Sequence, residues 1–239
     1  HQLVGTPPNL ASWTHHAVEQ SSGRPPVEIP EYEVLYKSSA APPSRVAVVM
    51  PVYNHADCVE EALESVRKQT LRGLDLVVVD DCSSDNSVET ARSWLERHGG
   101  RFNRAALIRN RRSSKLARTR NAAIAEADTE LFLPLDPANQ LLPNCLENAV
   151  AHLDETGAAF AFPTVQLFGD ARGTRQDRDW DPSLLRHGEY IDAMALIRRA
   201  CWIAVGGYSP LDATGWEDYD FWCKFVENGF YGARIPGIT

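Results

Sequence analysis

The sequence predicts an α/β domain, a mostly parallel sheet with helices on both faces. Two observations carry this. Short runs of Val, Leu, Ile and Ala alternate with segments whose apolar residues recur at helical spacing, the order that lays successive strands side by side in one direction. Three of the apolar runs also end in polar clusters, Tyr53-Asn54, Asp80-Asp81 and Asp136, and in such sheets ligands bind outside the carboxyl ends of the strands.

Residues 1 to 44 are rich in Pro, Ser and polar residues and read as an extended arm or linker, with a short helix around Trp13 to Glu19 and Trp13, Tyr32 and Tyr36 as pins to the domain. The domain proper runs over 45–239. Arg45 to Met50 is a buried strand ended by Pro51. Asp57 and Glu60 read as a cap for a helix through Val59, Leu63 and Val66. Leu74 to Val79 is a second strand, stopping at Asp80-Asp81. Ser83 to Asn86 turns into a helix through Val88, Ala91 and Leu95 toward Gly99-Gly100, and Ala105 to Ile108 is a third strand. Lys115 to Ala127 is a helix, and Glu130 to Leu135 a fourth strand that delivers Asp136 to its end, with Pro137 as the stop. Leu142 to Asp154 is helical, and Ala158 to Phe162 is a fifth strand. The alternation then breaks. Gln166 to Pro182 reads as a loop or hairpin over the sheet edge, Tyr190 to Ile197 as a strand, Gly206-Gly207-Tyr208 as a turn, and Trp216 to Val226 as an acidic, aromatic helix.

Composition narrows the function. The chain has 239 residues, 44% of them hydrophobic, and a net charge of −8, which disfavours nucleic acid as the main partner. No apolar run approaches the roughly 20 residues of a membrane span. The five cysteines are scattered without a C-x-x-C, which fits reduced thiols and a cytoplasmic location. The ends of the chain read as those of a segment belonging to a longer protein with further domains.

Dinucleotide, P-loop and hydrolase-elbow motifs are missing from the sequence. What remains is a set of carboxylates at a sheet edge beside a basic run, Arg109, Arg111, Arg112, Lys115, Arg118 and Arg120. That run reads equally as a solvated face or, at a strand end and helix start, as a phosphate holder.

Five segments together resemble the family 2 glycosyltransferases: Val46 to Asn54, Val77 to Asp85, Ala117 to Asn121, Leu133 to Asn139, and Gly215 to Trp222. They follow the family's order over about residues 45 to 236. The resemblance implies a GT-A fold, Rossmann-like, and an inverting transfer of a sugar from a nucleotide-diphosphate donor, with a UDP-sugar the leading choice. The acceptor would be a hydroxyl of a glycan or glycan precursor, in cell-surface polysaccharide biosynthesis. On the donor side it implies Pro51, Tyr53 and Asn54 around the nucleobase, with the Tyr53 ring packed on it. Asp81 would accept from the base N–H with Asp80 beside it, and Arg120 would lie near the base or diphosphate. Asp136 would face the ribose or a divalent cation, Mn²⁺ or Mg²⁺, as the first acid of the D-x-D motif. Asp218 would be the base that takes the acceptor's proton, with Trp216 and Glu217 on the acceptor side.

The sequence departs from the family at Ala138, where the second D-x-D acid would stand. A methyl group cannot bind a metal, so the cation loses a ligand, and Asn139 is a weaker substitute. The same departure supports a rival reading, a non-catalytic nucleotide- or glycan-binding domain. A sugar-nucleotidyltransferase would need a Gly-rich, Arg-containing N-terminal loop that the sequence lacks. Plainer roles also stay open: Asp80 and Asp81 as helix caps, Glu217 and Asp218 as acids favoured at a helix start, and Tyr53 as packing.

Overall fold

The computed structural model describes residues 26–38, 41–211 and 215–238. The short helix expected around Trp13 to Glu19 lies outside them. Among the described residues nine strands form one sheet in the order β1-β4-β3-β2-β5-β8-β6-β7, with β9 also on β6. The strands are β1 Tyr32–Lys37, β2 Val46–Val52, β3 Leu74–Asp80, β4 Arg104–Asn110, β5 Leu131–Pro134, β6 Phe160–Gln166, β7 Thr174–Arg175, β8 Leu196–Arg198 and β9 Gly232–Ile238. The helices are α1 Val59–Arg67, α2 Ser87–His98, α3 Lys115–Ala127, α4 Cys145–Thr156, α5 Arg199–Ala204 and α6 Glu217–Glu227.

The centre is parallel, as the alternation requires: β2 pairs in parallel with β3 and β5, and β3 with β4. Every residue of β2 and β3 is buried, because helices cover both faces. The two faces are separated by the strand's period of two. Val46, Val48 and Met50 pack with α1, α2 and α4 around Leu63, Trp94 and Leu146. Ala47 and Val49 point the other way, toward α3 and α6 and the aromatic group Phe160, Phe221, Trp222 and Phe225.

Four differences from the sequence reading have physical causes. Residues 32–37 of the expected arm join the sheet as an antiparallel edge strand on β4, and Tyr32 donates a 2.9 Å hydrogen bond to Glu126. Pro51 does not end β2, which runs on to Val52. Val49 turns its carbonyl toward Leu135, and Pro51, two residues on, faces the same side beyond the last β5 pair, so its missing N–H breaks no ladder bond. The strand expected over Tyr190 to Ile197 shrinks to β8, which inserts antiparallel between β5 and β6. Finally, α1 starts without a side-chain cap, so the Asp57-Glu60 pattern does not form one.

Candidate functional site

The polar ends of β2, β3 and β5 come together at the sheet's carboxyl edge, as expected. Tyr53 stands there, 53% exposed. Asn54 adopts a left-handed backbone, φ 57°, which Asn tolerates better than most residues. Its backbone N–H donates to Ser83 Oγ at 3.0 Å and its side-chain oxygen accepts from Ser84 N at 2.8 Å, tying the β2 end to the β3 end.

Asp80 and Asp81 are both buried and both engaged. Asp80 accepts from Ser83 N at 3.1 Å and pairs with Arg109 at 3.2 Å. Asp81 accepts from Asn110 Nδ2 at 2.7 Å, Ser113 Oγ at 2.9 Å, Ser114 N at 2.7 Å and Lys115 N at 3.0 Å. Four donors fill the lone pairs of one carboxylate. Asp81 therefore caps α3, not the α2 that follows it in sequence. Ser113, on the exposed loop, is the donor with most freedom to give way.

The centre of the site is Arg120. It was expected beside the base or diphosphate, yet its side chain is only 1% exposed and lies under the edge. It donates to Asp136 Oδ1 at 3.1 Å and to Asp218 Oδ1 at 2.5 Å. One guanidinium thus joins an acid after β5 to an acid in the first turn of α6, 82 positions apart in the sequence by subtraction (218 − 136). Its flat face lies 5.4 Å from the centre of the Tyr208 ring, which itself stacks on Phe221 at 4.2 Å.

The neighbouring Asn121 builds that ring's support. Asn121 accepts from Tyr208 N at 2.9 Å and Trp202 Nε1 at 3.2 Å, and donates to Tyr208 O at 2.9 Å. The turn before Tyr208 requires glycine: Gly207 has φ +70°, and a Cβ there would stand 2.9 Å from Asn121 Oδ1 and 2.6 Å from Val27 Cγ1. In the sequence, Tyr208 stands out only as part of a turn and Asn121 only as part of a motif.

Two further acids face this group, Glu189 and Asp192, in the irregular segment before β8. Burial pushes Asp218 up to about 6, with Arg120 opposing and Asp136 and Glu217 reinforcing. Burial raises Glu189 to about 7, helped by Asp218, and burial with Asp136 raises Asp192 from its ordinary value. For Arg120, burial disfavours the charge, but Asp136 and Asp218 outweigh it and hold the guanidinium charged. No periodicity singled out Glu189 or Asp192, because they sit in irregular backbone.

Glu217, 8% exposed, accepts from Gly215 N at 2.9 Å, so it secures the helix start. Trp216, 54% exposed, packs edge-on against Tyr219, whereas Phe221, Trp222 and Phe225 are core. The basic run divides. Arg109 pairs with Asp80, Arg118 pairs with Glu28 at 2.8 Å, and Arg111 and Arg112 line a separate cleft with Glu28 and Glu31.

A divalent cation fits poorly at Asp136. Ala138 is exposed and offers no ligand, and Asp136 already serves Arg120. Among the described residues, the one trio of ligand-type side chains within 4.8 Å of each other is His55, Asp57 and Cys58, beyond β2 and apart from Asp136.

The parallel centre, the antiparallel β8 and the acids at the carboxyl edge define a GT-A fold. Residues 47–213 match the family model "Glycosyl transferase family 2", and the chain belongs to that family. It is 26% identical over 197 residues to EpsE of Bacillus subtilis, a glycosyltransferase by name, covering 80% of this chain and 70% of EpsE. It is 26% identical to the glycosyltransferase GlyG of Streptococcus pneumoniae over 54% of this chain and 41% of GlyG. Among solved structures it is similar to Staphylococcus aureus TarS 1-349, with TM-score 0.69, 20% identity, and coverage of 81% of this chain and 59% of that one. It is also similar to the mannosyltransferase PcManGT of Pyrobaculum calidifontis, with TM-score 0.62, 22% identity, and coverage of 95% and 64%. The chain thus spans under two thirds of several of the proteins it matches.

Proposed function

We propose that this domain transfers a sugar from a nucleotide-diphosphate donor to a hydroxyl of a glycan or glycan precursor, with inversion. The observation that carries the reading is the Arg120 bridge, which brings Asp136 and Asp218 to one open edge. Asp218 accepts a hydrogen bond from Arg120 through Oδ1 only, and Oδ2 has no hydrogen-bond partner among the described residues. Oδ2 is available to an acceptor hydroxyl. As the hydroxyl oxygen bonds to the anomeric carbon, its proton passes to Asp218 and the bond to the diphosphate breaks on the opposite face. Attack from the face opposite the leaving group inverts the centre.

Tyr53, Pro51 and Asn54 form the proposed base platform, with Asp81 reached when Ser113 yields its place. Asp136 faces the ribose. Trp216, exposed two residues before Asp218, is the proposed acceptor platform, with Glu217 supporting it. UDP is the leading donor nucleotide, in line with TarS structures solved with UDP and UDP-GlcNAc; PcManGT was solved with GDP-Man and Mn²⁺. A role in cell-surface polysaccharide assembly is in line with the name of a relative, the teichuronic acid biosynthesis glycosyltransferase TuaG of Bacillus subtilis. Among the described residues no helix is long and apolar enough to cross a membrane.

A panel of nucleoside diphosphates and nucleotide sugars, read by thermal shift and by donor turnover, tests the reading. Stabilisation by at least one diphosphate and turnover of its sugar are expected. Binding without turnover across the panel would favour the rival reading that Ala138 raises, a domain that binds nucleotide without catalysis.

A further inference from the structure

Departure of a nucleoside diphosphate puts negative charge on the leaving oxygens, and a fixed positive group must meet it. Arg120 is buried and already shared between Asp136 and Asp218. Arg109 is held by Asp80 and Arg118 by Glu28, and Arg111 and Arg112 share their cleft with Glu28 and Glu31, away from the loop that follows Asp136.

A different pair of arginines lines a cavity with Asn139, on the loop that follows Asp136. A cavity of about 560 Å³ opens beside Asn139, three residues after Asp136, and is lined also by Arg175, Asp177, Arg178, Glu189 and Asp192. That volume lies in the usual range for small-molecule sites. Arg175 and Arg178 are exposed, and neither makes an ion pair among the described residues. They flank Gln176 on the turn leaving β7. Oriented to satisfy both neighbours, the Gln176 amide donates to Pro163 O at 3.2 Å and accepts from Asp192 N at 3.0 Å. The hairpin is therefore pinned to the segment that carries the site's acids, and Arg175 lies within electrostatic reach of Asp192.

We propose that Arg175 and Arg178 neutralise the donor's diphosphate in this cavity, in the role that a divalent cation at Asp136 would otherwise fill. The inference rests on the donor reading above. It accounts for Ala138: where guanidinium groups meet the phosphates, a second acid has no metal to hold. Arginine also suits the task chemically, since its planar fork donates two parallel hydrogen bonds to phosphate oxygens.

The test is calorimetric binding of UDP, GDP, ADP and CDP and of their parent nucleosides, in EDTA and in Mn²⁺, to the whole chain and to an Arg175→Ala/Arg178→Ala variant. The tightest diphosphate should bind within about twofold equally in EDTA and Mn²⁺. The variant should lose about tenfold or more in affinity for it while binding the nucleoside within about twofold of the parent, which also shows that the variant is folded. Diphosphate binding that requires Mn²⁺, or that the double substitution leaves unmoved, overturns the inference and leaves the donor reading standing. Failure of every nucleotide to bind removes the donor reading, and this inference with it.

Discussion

Arg120 donates to Asp218 Oδ1 at 2.5 Å and to Asp136 Oδ1 at 3.1 Å while its own side chain is 1% exposed. A buried cation held by two acids has little freedom to leave them. The pairing fixes where the two carboxylates stand relative to one another.

Replacing Arg120 should therefore do more than remove a charge. Arg120→Leu leaves two partly buried carboxylates unpaired, and breaking a buried pair costs roughly 3–5 kcal/mol. Chemical denaturation should show a loss of that order, with Arg120→Lys intermediate because lysine cannot fork between two partners. A variant as stable as the parent would show that the bridge is not structural.

Asp218→Asn tests the base. Transfer should fall by about 10²- to 10⁴-fold, the usual contribution of general base catalysis. Binding of the diphosphate product should persist. Turnover retained near the parent rate would remove Asp218 from this role.

The same residue sets a pH dependence. Its folded-state value of about 6 lies above the ordinary 3.8, so the folded protein holds this proton more tightly than the unfolded chain. That contribution to stability is complete below about pH 3.8 and is lost as pH rises through about 6. Wild type should therefore lose ground in melting temperature to Asp218→Asn between those pH values. Catalysis runs the opposite way, since the base must be ionised, and kcat/KM should climb with an apparent pKa near 6. A profile flat across that window would count against the assignment.

Tyr53 gives a prediction free of folding effects, because the residue is 53% exposed. Stacking of a base on an aromatic ring is worth roughly 1–3 kcal/mol, so Tyr53→Ala should weaken nucleoside and diphosphate alike by about tenfold. The melting temperature of the free protein should stay within a degree or so, since surface substitutions cost about 0.5 kcal/mol or less. Unchanged affinity would move the base away from Tyr53.

Gly207→Ala examines the support under Arg120. The new methyl would meet Asn121 Oδ1 at 2.9 Å on a backbone of φ +70°. Strain of this type costs of order 1–3 kcal/mol. Stability and transfer should fall together, because Tyr208 carries the arginine. A stable variant with normal transfer would show that the turn does not position the site.

How far the sequence alone reached can be followed residue by residue. The apolar runs of β2 and β3, buried on both faces, announce central parallel strands, since no half-exposed strand can be apolar throughout. Their polar ends announce the edge at which ligands bind. Asp136 and Asp218 stand out as candidate site acids through five short motifs in order, and Ala138 as a departure from one of them. Local pattern carries such features because they depend on neighbours in the chain.

The remainder depended on groups far apart in sequence. Nothing near Arg120 says that its partners lie 16 residues away at Asp136 and 98 away at Asp218, so it was placed on the ligand side when it lies beneath the edge. Asp81 spends its oxygens on the start of α3, which only the packing of β3 beside β4 makes reachable. β8 slips between β5 and β6 with three residues, too short for a periodicity to show. Glu189 and Asp192 take their raised pKa values first from burial, with Asp218 adding to the first and Asp136 to the second, and burial is a property of the assembled fold. The sequence by itself determined the layers, the edge and the acids; the tertiary structure decided which charges face each other, because that follows from distances no local pattern contains.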